Sequence, residues 1–201
     1  MIDTAASHGN EEEVGNGIQE AVATGLVKRE ELFITSKMWV SDVSISNAAK
    51  AFQASLKRLK LDYLDLYLVH QPYNDVFAAG VRWKLLTKGG QLKAIGVSNF
   101  SIDQLTNLAE FNEVKPMINQ IEVNPFELQR EAAKYFSDYG VQAEAWAPFA
   151  EGRNNLFTHS KLQKIADKYD KSIAQVVLRW ISQRGIVVLA KSTKPERMAQ
   201  T

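Results

Sequence analysis

Seven short runs of apolar and β-branched residues alternate with amphipathic segments along the 201-residue chain, and this alternation constrains the fold most strongly. The runs cover residues 2–5, 32–39, 64–70, 94–99, 117–123, 141–148 and 186–192. They are apolar at nearly every position, as expected for parallel strands that are covered on both faces. No linker, repeat or low-complexity tract interrupts them, so we expect a single domain spanning residues 1–201.

The segments between the strands carry signals for helix starts and ends. Capping-box patterns predict three helix starts, at Asn10 with Glu13, Ser101 with Gln104, and Ser172 with Gln175. Gly140 is expected to end a helix in the left-handed conformation, and residues 161–169 to form a further helix. Ser192 or Thr193 is expected to cap a helix that starts near Pro195.

Alternation of strands and helices gives an α/β fold, either a (β/α)8 barrel or an open doubly wound sheet. An open sheet that binds a dinucleotide should carry the G-x-G-x-x-G signature after its first strand. Gly9, Gly15 and Gly17 have neither that spacing nor that context. The pattern therefore favours the barrel.

Composition excludes several classes of protein. The 24 basic and 23 acidic residues give a net charge of +1, which argues against binding to nucleic acid or to an anionic membrane. The absence of cysteine excludes disulfides, thiolate metal sites and cysteine nucleophiles, and we expect no metal site. No apolar stretch approaches the roughly 18 residues of a membrane span, and the N-terminus lacks the signal-peptide pattern. We expect a cytoplasmic enzyme or binding domain.

Three ionisable residues lie at the ends of consecutive predicted strands, where barrel enzymes carry their chemistry. Asp3 lies in the first run, Lys37 interrupts the second, and His70 ends the third. A lysine among apolar strand residues is costly unless it is paired, and Asp3 is its expected partner. Taken singly, each also fits a structural role, as a turn aspartate, an edge-strand lysine and a core histidine.

The sequence resembles the aldo-keto reductases, most closely their bacterial diketogluconate- or methylglyoxal-reductase-like members. The matching stretches cover residues 2–5 with 9–12, 33–37, 61–72, 94–100, 119–122, and 191–192 with 196–197. The resemblance implies a (β/α)8 barrel and the reduction of small aldehydes or ketones with NADPH. It also implies that a lysine, here Lys37, is paired with Asp3 and assists a proton-donating tyrosine, while His70 orients the carbonyl.

The tyrosine position of the family holds His8 in this chain, within Asp-Thr-Ala-Ala-Ser-His-Gly-Asn at residues 3–10. An imidazolium, with an ordinary pKa of about 6.5, is acidic enough to replace the phenol. A nearby Lys37 disfavours that charged form, however, and losing a positioned acid costs on the order of 10²–10⁴ in rate. A slow reductase and a silent nucleotide-binding protein or fragment therefore both remain open. Tyr73 is the one other tyrosine worth testing.

The resemblance also assigns residues to the cofactor and the substrate. Ser98, Asn99 and Gln120 would meet the nicotinamide carboxamide, and Trp146 would stack on the nicotinamide. Ala147 is a further cofactor-binding residue, and Phe149–Arg153 would be the loop over the pyrophosphate. Lys191, Ser192, Thr193 and Arg197 would bind the adenosine 2′-phosphate, and Trp39 would form a wall of the substrate pocket. The structural alternatives are strand-end hydrogen bonds, a core tryptophan and a capped helix with solvated basic residues. Gln200 and Thr201 fall at the adenine positions.

The length is short for this fold, because a (β/α)8 barrel typically needs about 250 residues and eight strands. The resemblance begins at the second strand of the barrel, so we expect strands 2–8 and a chain truncated at both ends. The first strand, and the last helix with its tail, would be missing. Exposed strand edges would then permit self-association of a protein that is otherwise expected to be a monomer.

Overall fold

The computed structural model describes residues 1–77, 83 and 86–199. The chain divides into two compact units, Met1–Ile118 and Asn119–Thr201. The single domain expected over residues 1–201 stays a prediction. No helix in the described ranges is both long and apolar enough to cross a bilayer.

The first unit is built on four parallel strands in sequential order. They are β1 (Ile2–Asp3), β2 (Ile34–Met38), β3 (Leu64–Val69) and β4 (Leu92–Ser98). Its described helices with complete bounds are α1 (Glu11–Ala23), α2 (Ala48–Leu59) and α3 (Ile102–Glu110). A short 3-10 turn, Ala6–His8, connects β1 to α1. Every residue of β2 and β3 is buried, which agrees with their continuous apolar runs.

Helices α1 and α2 pack closely against each other in this unit. Phe52, Leu56 and Leu59 form the buried face of α2, as their helical spacing predicts. Gly15 of α1 faces the end of α2, where a β-carbon on Gly15 would come within 2.6 Å of the carbonyl oxygen of Leu59. The close approach of the two helices therefore depends on a glycine at this position.

The described part of the second unit contains most of β5 (Ile118–Glu122), two further strands and four α-helices. Strand β5 begins at the boundary and neighbours β6 (Gln142–Trp146), which pairs in parallel with β7 (Val187–Val188). The helices are α4 (Arg130–Tyr139), α5 (Ser160–Tyr169), α6 (Ile173–Gln183) and α7 (Pro195–Met198). Among the described residues, six of the seven strands lie within the predicted runs and are shorter than them, whereas β4 overlaps its run but begins two residues earlier.

Most of the predicted helix signals are confirmed. The capping boxes that begin at Ser101 and Ser172 both form, and Gly140 ends α4 with a φ of 80°. The capping box predicted at Asn10 is wrong, because the Asn10 side chain accepts a hydrogen bond from the Thr4 hydroxyl at 2.7 Å instead of capping α1. The further helix predicted over 161–169 is confirmed as α5.

The cap predicted for the last helix is also wrong. Lys194 occupies the N-cap position of α7 and makes no side-chain capping bond. The Ser192 hydroxyl accepts from the Lys194 N–H at 3.1 Å, one residue before the helix begins, so it closes the preceding turn instead. The adenine positions predicted at Gln200 and Thr201 lie outside the described residues.

Candidate active site

A lysine–aspartate ion pair lies at the ends of β1 and β2. The Nζ of Lys37 is 2.5 Å from Oδ1 of Asp3 and 3.2 Å from the carbonyl oxygen of Thr4. Parallel pairing places Asp3 beside Thr35, two residues before Lys37. The Lys37 side chain is 2% exposed and that of Asp3 13%, so the ammonium ion depends on Asp3 for charge compensation.

His70 follows β3 directly, and its backbone is held on both sides. Its N–H donates to the carbonyl oxygen of Met38 at 3.1 Å, and its carbonyl oxygen accepts from the Asn99 side chain at 3.2 Å. The His70 ring meets the edges of two other rings, with centroid distances of 5.3 Å to Trp39 and 5.8 Å to His8. The two hydrogen bonds anchor the backbone of His70, and the two ring contacts restrict the orientation of its imidazole.

The His70 imidazole is held in its neutral form. Burial lowers its pKa, and the nearby charges of Lys37 and His8 lower it further, to about 4. The ring is therefore uncharged near pH 7, with one nitrogen that donates and one that accepts a hydrogen bond.

His8 reaches His70 because of the short turn that follows β1. The 3-10 turn Ala6–His8 ends at Gly9, which has a φ of 67°. The hydrogen bond between Thr4 and Asn10 closes the base of this segment. His8 is exposed, so its imidazole can exchange protons with solvent.

A cavity of about 680 Å³ adjoins this turn, and we call it the turn cavity. Ser7 and Trp39, which both contact the His70 ring, contribute to its lining. Its lining is mainly acidic, since it carries the carboxylates of Glu12, Glu13 and Asp42, and its one arginine, Arg58, is paired with Glu11. Trp39 is 38% exposed, which suits the substrate-wall position predicted for it.

Three tyrosines near the strands of the first unit have environments that differ from that of His8. Tyr67 is 1% exposed, and burial raises the pKa of its phenol, so it is a poorer acid than an ordinary tyrosine. Tyr63 packs against two cations, with Arg29 at 3.9 Å and Lys93 at 4.3 Å from its ring centroid. Tyr73 is 63% exposed on the loop after His70. The environments of these tyrosines leave His8 as the leading candidate for the acid.

A buried polar network beside the ion pair was not predicted. Glu11 is 2% exposed, and its carboxylate accepts from the Ser36 hydroxyl at 2.5 Å and from Nε of Arg58 at 2.7 Å. Since Ser36 precedes Lys37, the network fastens the start of α1 to the strand that carries the lysine. Glu11 stands in a run of three glutamates, and the sequence gives no sign that only one of them is buried.

Ser98 and Asn99 lie where β4 ends in the first unit. Asn99 has a φ of 63°, in the left-handed region, and its Nδ2 donates to the Ser98 hydroxyl at 3.1 Å. Because the same amide group bonds the His70 carbonyl, Asn99 connects the predicted carboxamide-binding residues to the histidine.

In the second unit, Gln120 is held by a residue that the sequence analysis missed. Its Nε2 donates to the Glu144 carboxylate at 2.7 Å, and both side chains are buried. A glutamate within the apolar run 141–148 was the available signal. Trp146, at the end of β6, is half-buried.

The loop after Trp146 has an unusual backbone. Six of its residues have φ values between 46° and 77°: Ala147, Ala150, Glu151, Gly152, Asn154 and Asn155. Within the loop, the N–H groups of Ala150, Gly152 and Arg153 close successive turns by donating to backbone carbonyl oxygens at 2.9 Å. Phe149 contacts Phe157 within this loop, with 5.6 Å between the ring centroids. Farther along the chain, Lys191, Thr193 and Arg197 are exposed and Ser192 is half-buried.

Comparison with known proteins gives one consistent result. The chain matches the model of the aldo/keto reductase family over residues 1–201. It is 46% identical to glyoxal reductase of Bacillus subtilis, over 99% of this chain and 70% of the relative. It is 42% identical to the methylglyoxal reductase DkgA of Escherichia coli K12, over 99% of this chain and 71% of the relative.

Solved structures agree with this result. A Bombyx mori aldo-keto reductase in complex with NADP superposes with a TM-score of 0.93 at 38% identity, over 98% of this chain and 70% of that one. An aldo-keto reductase from a deep-sea metagenome gives a TM-score of 0.94 at 39% identity, over 98% of this chain and 72% of that one. These matches confirm the predicted (β/α)8 type of fold, and this chain spans about 70% of the length of the solved chains that it matches.

Proposed function

Because the chain belongs to the aldo/keto reductase family, we propose that it reduces small aldehydes and ketones with NADPH, at a low rate set by His8. The observation that carries this proposal is the ion pair between Lys37 and Asp3, with the neutral His70 and the exposed His8 in ring contact in the same unit. The relatives named above as glyoxal and methylglyoxal reductases point to the same class of substrate.

The residues of the first unit would share the work of carbonyl reduction. When bound, NADPH supplies a hydride to the carbonyl carbon. The neutral His70 ring donates a hydrogen bond to the carbonyl oxygen and stabilises the negative charge that develops there. The imidazolium of His8 then gives its proton to that oxygen, which leaves an alcohol and a neutral His8. Asp3 balances the charge of Lys37, so that the ammonium ion can stay in its buried position.

Other residues suit a bound dinucleotide. In the first unit, Ser98 and Asn99 carry hydroxyl and amide groups of the kind that bind a carboxamide. In the second unit, Gln120 carries a further amide group. We assign the pyrophosphate to the loop after Trp146 from the family resemblance, and the tightly turned backbone of that loop is compatible with this role. Lys191 and Arg197 are exposed basic side chains that could pair with a 2′-phosphate.

A monomer in the cytoplasm is part of the same proposal. It is supported by the balanced charge and by the absence of cysteine, which is compatible with a reducing compartment. Size-exclusion chromatography with light scattering would reveal self-association.

The decisive experiment restores the tyrosine. We expect purified protein to oxidise NADPH slowly with methylglyoxal, and His8→Tyr to raise kcat by about 10- to 100-fold, because a positioned acid contributes 10²–10⁴. His8→Phe should lower kcat further, whereas Tyr73→Phe should leave it unchanged. A wild-type rate that His8→Tyr does not increase would contradict the assigned role of His8.

A silent nucleotide-binding protein is the second candidate, and the histidine at the acid position favours it. The two candidates differ in turnover but share the cofactor. Titration with NADPH, followed by the quenching of tryptophan fluorescence, measures binding independently of turnover. Saturable quenching without NADPH oxidation would support the silent protein, and no quenching would contradict both candidates.

A further inference from the structure

We propose that Ser7 is a positioning residue that holds His70 in the tautomer with its proton on Nε2. In that tautomer the neutral imidazole can donate a hydrogen bond to a carbonyl oxygen. The inference rests on the proposed function for its catalytic consequence, whereas the tautomer itself is a property of the protein alone.

The geometry that carries the proposal is a contact between residues 63 positions apart. The Ser7 hydroxyl oxygen lies 3.2 Å from Nδ1 of His70. The 3-10 turn after β1 presents Ser7, and the parallel pairing of β1, β2 and β3 brings His70 to it. The contact is thus specified by the sheet and the turn together.

The ring has little freedom to choose another arrangement. Its backbone is bonded through both its N–H and its carbonyl oxygen, and the edges of Trp39 and His8 flank the imidazole. The buried ammonium ion of Lys37 also disfavours a second charge close by. What remains to be set is which nitrogen of the neutral ring carries the proton.

The Ser7 hydroxyl group can either donate a hydrogen bond to Nδ1 of His70 or accept one from it, and each choice selects a different tautomer. If Ser7 donates to Nδ1, the proton of the ring must lie on Nε2. If Ser7 accepts from Nδ1, then Nε2 carries a lone pair, which would repel a carbonyl oxygen. Because Ser7 is exposed, water can serve the lone pairs of its oxygen while its proton goes to the imidazole nitrogen, the stronger acceptor.

The test reads the tautomer directly. The chain has three histidines, so ¹⁵N–¹H spectra of the imidazole groups at pH 7 can be assigned to His70 with the variant His70→Gln. We expect the Nε2–H form to dominate in the wild type. Ser7→Ala should populate the Nδ1–H form, and Ser7→Thr, which keeps the hydroxyl, should restore the wild-type spectrum.

Kinetics provide the second measurement, in the faster His8→Tyr background. Ser7→Ala should lower kcat with methylglyoxal about 3- to 10-fold and leave the Kd for NADPH unchanged, since one oriented hydrogen bond is lost. Ser7→Thr should recover most of the rate. Ser137→Ala, on the exposed surface of α4, is the matched control and should change neither measurement.

Either of two spectra would overturn the proposal, namely a dominant Nδ1–H form in the wild type or unchanged populations in Ser7→Ala. A protein that shows no turnover in any variant would contradict the proposed function. The spectra would still decide the role of Ser7, because they require neither substrate nor cofactor.

Discussion

Neutralising Asp3 should destabilise the first unit because it leaves a buried ammonium ion without its partner. Asp3→Asn keeps the shape of the side chain and removes its charge. Lys37 is 2% exposed and would retain the Thr4 carbonyl oxygen at 3.2 Å. Breaking a buried pair from one side costs about 3–5 kcal/mol. Since Asp3 is 13% exposed and some water can reach the site, we expect a loss of about 2–3 kcal/mol.

The double variant Asp3→Asn/Lys37→Met tests whether the two charges stabilise the protein as a pair. Lys37→Met alone leaves a carboxylate that is partly hydrated, which should cost about 1–2 kcal/mol. With both charges absent, no ion remains desolvated, so the double variant should be more stable than the sum of the single losses predicts. We expect a coupling energy of at least about 1.5 kcal/mol.

Urea unfolding at pH 7, followed by near-UV circular dichroism, would measure these free energies, with the m-value checked in each variant. The control is Asp138→Asn, which breaks an exposed pair with Lys134, where the two side chains are 64% and 77% exposed. Asp138→Asn should lower the free energy of unfolding by less than about 0.5 kcal/mol. The buried-charge argument would be refuted if the stability loss of the double variant equalled the sum of the two single losses within about 0.5 kcal/mol.

Three further predictions concern packing, pH and substrate charge. Gly15→Ala should destabilise the protein by about 1–3 kcal/mol in urea unfolding, because its β-carbon would meet the Leu59 carbonyl at 2.6 Å. Gly17→Ala, in the same helix with nothing within 4 Å, should stabilise it by about 0.5–1 kcal/mol, and the opposite order would contradict the helix packing. Because the pKa of His70 falls from 6.5 to about 4 on folding, its contribution to stability is complete above pH 6.5 and is lost as the pH falls toward 4. His70→Gln should make the free energy of unfolding depend less on pH between 4 and 6.5. An unchanged pH dependence would contradict the lowered pKa. Because the turn cavity is acidic, kcat/KM should be about 10-fold higher for neutral methylglyoxal than for anionic glyoxylate, and added salt should reduce this difference. Equal values of kcat/KM would show that substrates do not approach through the cavity.

The parts of the site that stand on strands were predictable, because their signal is local. A charged residue inside an apolar run, such as Asp3 or Lys37, can be recognised from the sequence alone. Parallel strands bring such residues to the same edge of the sheet. The ion pair between these two residues confirms the expected pairing. Glu144 gave the same signal inside its strand but was overlooked.

The parts that depend on turns could not be predicted in the same way. Asn10 has the residue type of a helix cap, but its side chain bonds Thr4, six residues earlier. Glu11 resembles its two neighbours in the sequence, yet it alone is buried, since Ser36 and Arg58 come from other elements to meet it. Such choices between equivalent partners are decided by long-range packing, which capping patterns do not contain.

The division between strands and turn also separates stability from catalysis in this protein. Asp3 and Lys37 belong to the packed sheet, so their loss should be visible in unfolding. Ser7 and His8 stand on an exposed turn, where substitutions away from buried groups usually change stability by less than about 0.5 kcal/mol. A chain can therefore exchange its proton donor at His8 without losing its fold. For the same reason, restoring a tyrosine there should change the rate of reduction without a large loss of stability.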